Sequence, residues 1–81
     1  MAQVFRNFRD SPTVPPGWKA RPQPGAVVKV PIKQVALLKF LQQQIPGRWM
    51  KVYHYGADGS EVHYCRHQSG PVFDVEYHAA K

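Results

Sequence analysis

The sequence predicts an α+β fold in which one amphipathic helix packs on a three- to four-stranded antiparallel sheet. Three observations support this: an apolar stripe at helical spacing before residue 46, a later run of alternating polar and apolar residues, and turn signals that divide this run into strands. The 81 residues suffice for one small domain. We expect a helix followed by a β-meander in residues 26–81, after a proline-rich N-terminal segment in residues 1–25.

The N-terminal segment is defined by its prolines, because six of the eight lie between residues 12 and 31. Proline has a fixed φ and lacks an amide donor, so residues 12–25 are expected to be extended and polyproline-like. Trp18 either holds this stretch against the sheet or helix, or contacts a partner. Residues 1–11 are compatible with a helical turn or an edge strand, and residues 26–30 with a short fourth strand.

The helix is expected to begin at Pro31, which fits a first helical turn, and to run to about Gln44. Ile45–Gly47, with Pro46 at its centre, then stops it. At 100° per residue its apolar side chains form a stripe that we expect to cover the apolar face of the sheet. The stripe consists of Val35, Leu37, Leu38, Leu41 and Ile45.

Two turns set the register of the three strands that follow. Gly56–Ser60 contains Asp-Gly and suits a three-residue hairpin loop with glycine in the left-handed region. The second turn lies at residues 68–71. Matching apolar with apolar positions then sets Arg66 opposite Phe73, because a slip of one residue would bury the charged side chains.

This register assigns the side chains to two faces of the sheet. On the polar face, His63 lies between Tyr53 and Glu76, and His78 faces Glu61. The apolar face is the predicted core and contains Met50, Val52, Val62, Tyr64, Phe73, Val75 and Tyr77. The polar face contains Lys51, Tyr53, Tyr55, Glu61, His63, Cys65, His67, Asp74, Glu76 and His78.

The charge of the chain favours a polyanionic partner. The net charge is +6 and the isoelectric point about 9.8, so nucleic acid is the first candidate and an acidic protein the second. Residues 1–51 hold nine of the eleven basic residues, whereas residues 52–81 hold four of the five acids. A single cysteine forms no internal disulfide, and we find no signal peptide or membrane-length apolar run. We expect a cytoplasmic protein; delivery within a larger secreted protein is an open alternative.

The polar face suggests metal-independent cleavage of RNA, in which one group takes the 2′-hydroxyl proton and another protonates the leaving oxygen. His63 with Glu76 is one candidate catalytic couple, and His78 with Glu61 a second. We expect neither a metal nor another cofactor for this reaction. The alternatives are an RNA-binding surface without chemistry and a solvated or protein-binding face. Predicted RNA-binding residues are Lys33, Lys39, Arg48, Lys51, Tyr53 and Tyr55.

Other interpretations of the histidines and the cysteine are weaker. His63, Cys65 and His67 point to one side of a strand, but the outer two are separated by roughly 13 Å, which is too far to share one metal ion. Cys65 is expected to be a packing residue rather than a nucleophile, since no helix N-terminus lowers its pKa. His54 falls on the core side, where we expect it to be hydrogen-bonded and partly buried.

Residues 48–78 contain a pattern of aromatic, apolar and turn residues that is shared with a known group of proteins. It consists of Trp49, Lys51, Val52 and Tyr53, the turn Tyr55-Gly56-x-Asp58-Gly59, Val62-His63-Tyr64 and Gly70-x-Val72-Phe73-Asp74-Val75. In these residues the chain resembles the C-terminal toxin modules of bacterial polymorphic toxins, including Rhs-type and contact-dependent inhibition proteins. The resemblance implies a basic α+β module, often a ribonuclease that acts on cellular RNA and is neutralised by a cognate immunity protein. It also implies a fold of the barnase and RelE type.

Overall fold

A computed structural model of the chain describes residues 2–5, 8 and 14–80. They form one helix and a five-stranded antiparallel sheet of order β1-β5-β4-β3-β2. The α+β class and the helix followed by a β-meander are confirmed. The sheet has one strand more than expected, because residues near the N-terminus form an edge strand. The elements are β1 (Ala2–Phe5), β2 (Val27–Pro31), α1 (Val35–Gln44), β3 (Trp49–Tyr55), β4 (Glu61–His67) and β5 (Val72–His78).

The β3–β4 hairpin has the predicted register. The amide of Gly56 donates to the carbonyl of Ser60 at 2.7 Å, and Gly59 has a φ of 89°, in the left-handed region. Tyr53 consequently lies opposite His63. The Asp-Gly turn and the alternation of the two strands specify the same pairing, which explains why this part was predictable.

The β4–β5 register is right for only part of its length. A β-bulge after His63 shifts the pairing by one residue, so Phe73 lies opposite Cys65 and not opposite Arg66 as predicted. Within the bulge Asp74 has a φ of 59°, a conformation that aspartate tolerates better than most residues. The predicted pairs that are present are Glu61 with His78, Val62 with Tyr77 and His63 with Glu76.

Helix α1 begins later than predicted. Pro31 is the last residue of β2, an edge strand that tolerates a residue without an amide hydrogen. The helix then starts at Val35 and ends at Gln44, as expected. Leu41 is its only buried residue, whereas Val35 is 64% exposed and was wrongly assigned to the buried stripe.

The helix covers the opposite face of the sheet from the one predicted. Leu41 packs with Trp49 and Cys65. Cys65 was predicted to lie on the polar face, and the strand register places Trp49 on the same face. The bulge adds Phe73 to this apolar end, which gives the helix a surface to bury. The face that was predicted to be the core forms a second cluster, made of Val52, Val62, Tyr64, Val72 and Val75 with Tyr77 packed against it.

The described part of the proline-rich segment packs on the hairpin. The indole nitrogen of Trp18 donates to the hydroxyl of Ser60 at 2.6 Å, and Ala20 forms an isolated β-bridge with Gly56. Trp18 therefore holds the segment on the sheet, which was one of its two predicted roles. The expectation of a continuous extended segment is wrong for residues 14–25, which contain turns; residues 12 and 13 lie outside the described part.

No helix among the described residues is long and apolar enough to cross a membrane.

Candidate active site

The polar residues of β4 and β5 form a cluster at the end of the sheet face that the helix leaves uncovered. The backbone register sets His63 opposite Glu76 and His78 opposite Glu61. Side chains on one face at opposed positions are near neighbours, so the four groups come together as the sequence predicted. We call Glu61, His63, Glu76 and His78 the histidine–glutamate cluster.

Each imidazole of this cluster is hydrogen-bonded to a carboxylate of its own strand. His63 Nε2 donates to Glu61 Oε2 at 3.0 Å, and His78 Nε2 donates to Glu76 Oε2 at 3.3 Å. The predicted couples crossed between strands, His63 with Glu76 and His78 with Glu61, and these hydrogen bonds instead follow the strands. The register brings each histidine near two glutamates, one on its own strand and one on the neighbouring strand. The side-chain rotamers select the glutamate that lies two residues earlier in the same strand.

The two imidazoles lie against each other. Their ring centroids are 4.9 Å apart with an interplanar angle of 36°. Since each Nε2 is engaged by a carboxylate, each Nδ1 is left without a hydrogen-bond partner among the described residues. The side chain of His63 is 17% exposed and that of His78 is 40% exposed. A pair of this kind can accept a proton at one ring and donate one from the other.

Aromatic side chains extend from the cluster along β3. The ring centroids of Tyr53 and His63 are 4.6 Å apart. Tyr55 stacks beside Tyr53 with a centroid distance of 6.5 Å and an interplanar angle of 10°. A cation lies over each tyrosine: Lys51 Nζ is 5.5 Å from the Tyr53 ring, and the guanidinium carbon of Arg21 is 5.4 Å from the Tyr55 ring. Arg21 was not predicted, because its place over Tyr55 depends on the fold of the N-terminal segment.

A cavity of about 350 Å³ adjoins this aromatic row and is bounded by the residues before α1. Lys33, Lys51 and Tyr53, three predicted RNA-binding residues, all line it. Lys39 is exposed on α1 outside this cavity, and Arg48 lines a different cavity on the other face of the sheet. The predicted RNA-binding set therefore divides between separate surfaces.

His67 and Cys65 have structural roles in the buried part of the same face. His67 is 5% exposed; its Nδ1 accepts from the amide of Ser69 at 3.1 Å, and its Nε2 donates to the carbonyl of Pro46 at 2.8 Å. This imidazole connects the end of the helix to the β4–β5 turn. Burial raises the pKa of the Cys65 thiol to about 11, so the thiolate needed by a nucleophile is disfavoured.

His54 lies on the opposite face and is hydrogen-bonded, as expected. Its Nε2 is 2.8 Å from the hydroxyl of Tyr64, and its ring lies at 77° to that of Trp18 with a centroid distance of 6.4 Å. Burial, with a smaller contribution from the charge of Lys29, lowers the pKa of His54 below its ordinary value.

A combination of metal-binding donors that sequence reasoning missed lies within the cluster. One donor atom each from His63, Glu76 and His78 lie within 4.8 Å of one another. Two imidazoles and a carboxylate form a donor set that transition metals accept. His63, Cys65 and His67 all lie on β4, whereas these three donors come from two strands that pair. These residues could hold a cation as well as exchange protons.

Comparison of the chain with protein-family models, with curated proteins and with solved structures found no match.

Proposed function

We propose that this protein cleaves single-stranded RNA by acid–base chemistry between His63 and His78. The observation that supports this most directly is the adjacency of two imidazoles, 4.9 Å between centroids, each hydrogen-bonded to a different glutamate. Two rings so close can contact different oxygens of one phosphodiester group. The cluster also lies beside stacked tyrosines and lysines, which suit bases and phosphates respectively.

In the proposed reaction, one imidazole is neutral and accepts the proton of the 2′-hydroxyl through Nδ1. The 2′-oxygen then forms a bond to phosphorus while the bond from phosphorus to the 5′-oxygen breaks. The other imidazole is protonated and delivers its proton to that 5′-oxygen. The products are a 2′,3′-cyclic phosphate and a 5′-hydroxyl. Glu61 and Glu76 are positioning residues, because their hydrogen bonds fix the orientation of the two rings.

The neighbouring surface suits the binding of an unpaired strand. Tyr53 and Tyr55 offer parallel rings on which bases can stack, at about 1–3 kcal/mol per base. Lys33 and Lys51, in the adjoining cavity, can contact the phosphate groups. Because every base has a stacking face, we expect little sequence preference.

The test is cleavage of a short single-stranded RNA in EDTA by the whole protein and its variants. His63→Ala and His78→Ala should each lower the cleavage rate by about 10²- to 10⁴-fold. His54→Gln removes an imidazole on the other face and should leave the rate unchanged. A substrate with a single 2′-deoxynucleotide should be spared at that position. Intact RNA with folded wild-type protein in excess, or cleavage that survives both alanine changes, would overturn the proposal.

A second candidate function is binding of single-stranded nucleic acid without cleavage. It is favoured by the cations over the two stacked tyrosines, Lys51 over Tyr53 and Arg21 over Tyr55, because such a row binds bases whether or not chemistry follows. Binding that weakens steeply with salt, together with no cleavage, would select this candidate. Binding that is insensitive to salt would exclude it.

A further inference from the structure

We propose that the protein has a second anion site, specific for phosphate groups, on the sheet face opposite the histidine–glutamate cluster. The site is a cavity of about 290 Å³ near the start of β3 and the end of β4. Three cations line it: Lys29 from β2, Arg48 just before β3, and Arg66 from β4. They are separate in sequence, and the pairing of β2, β3 and β4 brings them to one cavity.

The strand register places this cavity away from the proposed cleavage site. Lys29 pairs with Val52, and Arg66 pairs with Met50. Val52 belongs to the apolar cluster on the face that the helix does not cover, whereas His63 alternates to the other face. A ligand in this cavity would therefore not touch the imidazole pair.

The cavity presents hydrogen-bond donors for an anion. None of its three cations lies within 4.0 Å of a carboxylate in the part of the chain that the structure describes. The side-chain oxygen of Gln68 accepts from the amide of Arg48 at 3.2 Å, which leaves the side-chain NH₂ of Gln68 as a further donor. Positive groups gathered without a compensating acid repel one another, and an anion would relieve that repulsion.

The number and type of these donors favour phosphate over a single carboxylate. Two guanidinium groups can each bind two oxygens of a tetrahedral anion, and the ammonium of Lys29 can contact another. Buried Val52 and half-buried Met50 also line the cavity. An apolar wall strengthens charge interactions because it excludes water.

The edge strand β2 separates this cavity from the cavity beside the aromatic row. Lys29 lines the first, and the next two residues, Val30 and Pro31, line the second. Because β2 is the last strand of the sheet, a nucleic-acid backbone could pass around it and place phosphates on both faces. A backbone phosphodiester and a terminal or free phosphate share this chemistry, and experiment can separate them.

The experiment uses oligothymidine, which lacks the 2′-hydroxyl and is bound but not cleaved by the proposed reaction. Arg66→Gln and Lys29→Gln should each weaken binding at low salt by at least fivefold, and each should lower the slope of log K against log salt by about one. Lys19→Gln removes the same charge from an exposed side chain that lines neither cavity, and it should change binding less than twofold. Equal weakening by all three variants would mean that only net charge matters and would overturn the proposal.

Nuclear magnetic resonance then locates the ligand. Oligothymidine should shift the side-chain NH₂ signals of Gln68, and this shift should disappear in Arg66→Gln. If an unphosphorylated oligonucleotide causes the shift, the site binds backbone phosphodiesters; if only a 5′-phosphorylated one and inorganic phosphate do, it binds terminal phosphate. Unmoved signals with all three ligands, or equal shifts with polyglutamate, would overturn the proposal. Repeating the titration with His63→Ala separates this site from the cleavage reaction, since neither result depends on the other.

Discussion

Shortening Leu41 to alanine tests which face of the sheet the helix covers. Leu41 is the single fully buried residue of α1, with 0% exposure. The change removes buried methyl groups and leaves a cavity, at a cost of about 2–5 kcal/mol. Since a chain of this length has an unfolding free energy of about 4–12 kcal/mol, Leu41→Ala should lose a large part of it. Val35→Ala is the matched control, and at 64% exposure it should stay within about 0.5 kcal/mol of wild type.

Urea unfolding, followed by circular dichroism and tryptophan fluorescence, measures the unfolding free energies of the two variants. The comparison with wild type is valid when the m-values are equal, because a changed m-value indicates a changed denatured state. The thiol of Cys65 provides an independent probe, because it packs in the same cluster as Leu41 and is 2% exposed. Leu41→Ala should speed its modification at pH 8 by more than about tenfold, since 1.4 kcal/mol of easier opening is already tenfold. A Val35→Ala loss as large as that of Leu41→Ala, or rapid modification of the native wild-type thiol, would refute this helix orientation.

Three further changes test the loops and the opposite face. Gly47 has a φ of 129°, and a Cβ there would lie 2.5 Å from Nε2 of His67. Gly47→Ala should therefore lower the unfolding free energy by about 1–3 kcal/mol. An unchanged melting temperature would contradict this prediction. Trp18→Phe removes the donor to the buried Ser60 hydroxyl and should lower the unfolding free energy, measured in urea, by about 0.5–1.5 kcal/mol. An unchanged free energy would mean that this hydrogen bond does not hold the N-terminal segment on the sheet. Burial holds the pKa of His54 below its ordinary value of 6.5, so its contribution to stability is complete above pH 6.5 and is lost as the pH falls through the folded-state pKa. The slope of unfolding free energy between pH 7.5 and 5 should therefore become flatter in His54→Gln, and a slope that does not change would refute this assignment.

The hairpin was predictable because two independent signals agree on it. The Asp-Gly sequence in Gly56–Ser60 specifies the loop, and the alternation of Trp49–Tyr55 and Glu61–His67 specifies which side chains share a face. The end of the helix was also predictable, because Pro46 and Gly47 stop it. In each case the signal is local, so it survives without knowledge of the rest of the fold.

The side of the sheet on which the helix lies was not predictable from alternation. We assumed one apolar face, whereas Trp49 and Cys65 make one end of the other face apolar too. The bulge then adds Phe73 to that end, and strict alternation cannot anticipate an extra residue. Val72 and Phe73 are adjacent apolar residues in a strand, as are Tyr64 and Cys65, and such neighbours indicate two buried faces.

The candidate site was predictable as a neighbourhood but not as a set of bonds. Register alone brings His63 and His78 together with two glutamates. It does not select rotamers, so it could not predict that the hydrogen bonds of the two imidazoles follow the strands. The place of Arg21 over Tyr55 depends on contacts between distant parts of the chain, and no local pattern encodes them.

The bulge at Asp74 gives β5 one extra residue, and this residue lets the strand contribute side chains to both hydrophobic clusters. Before Asp74, the ring of Phe73 faces the helix. After Asp74, Val75 faces the aliphatic cluster on the other side of the sheet. If the bulge were lost and Asp74 joined the strict alternation of the strand, Phe73 would turn over to the aliphatic side. Phe40 would then lose the ring it contacts at 5.6 Å, and α1 would lose part of its support. The length of this strand therefore constrains the protein as strongly as its composition does.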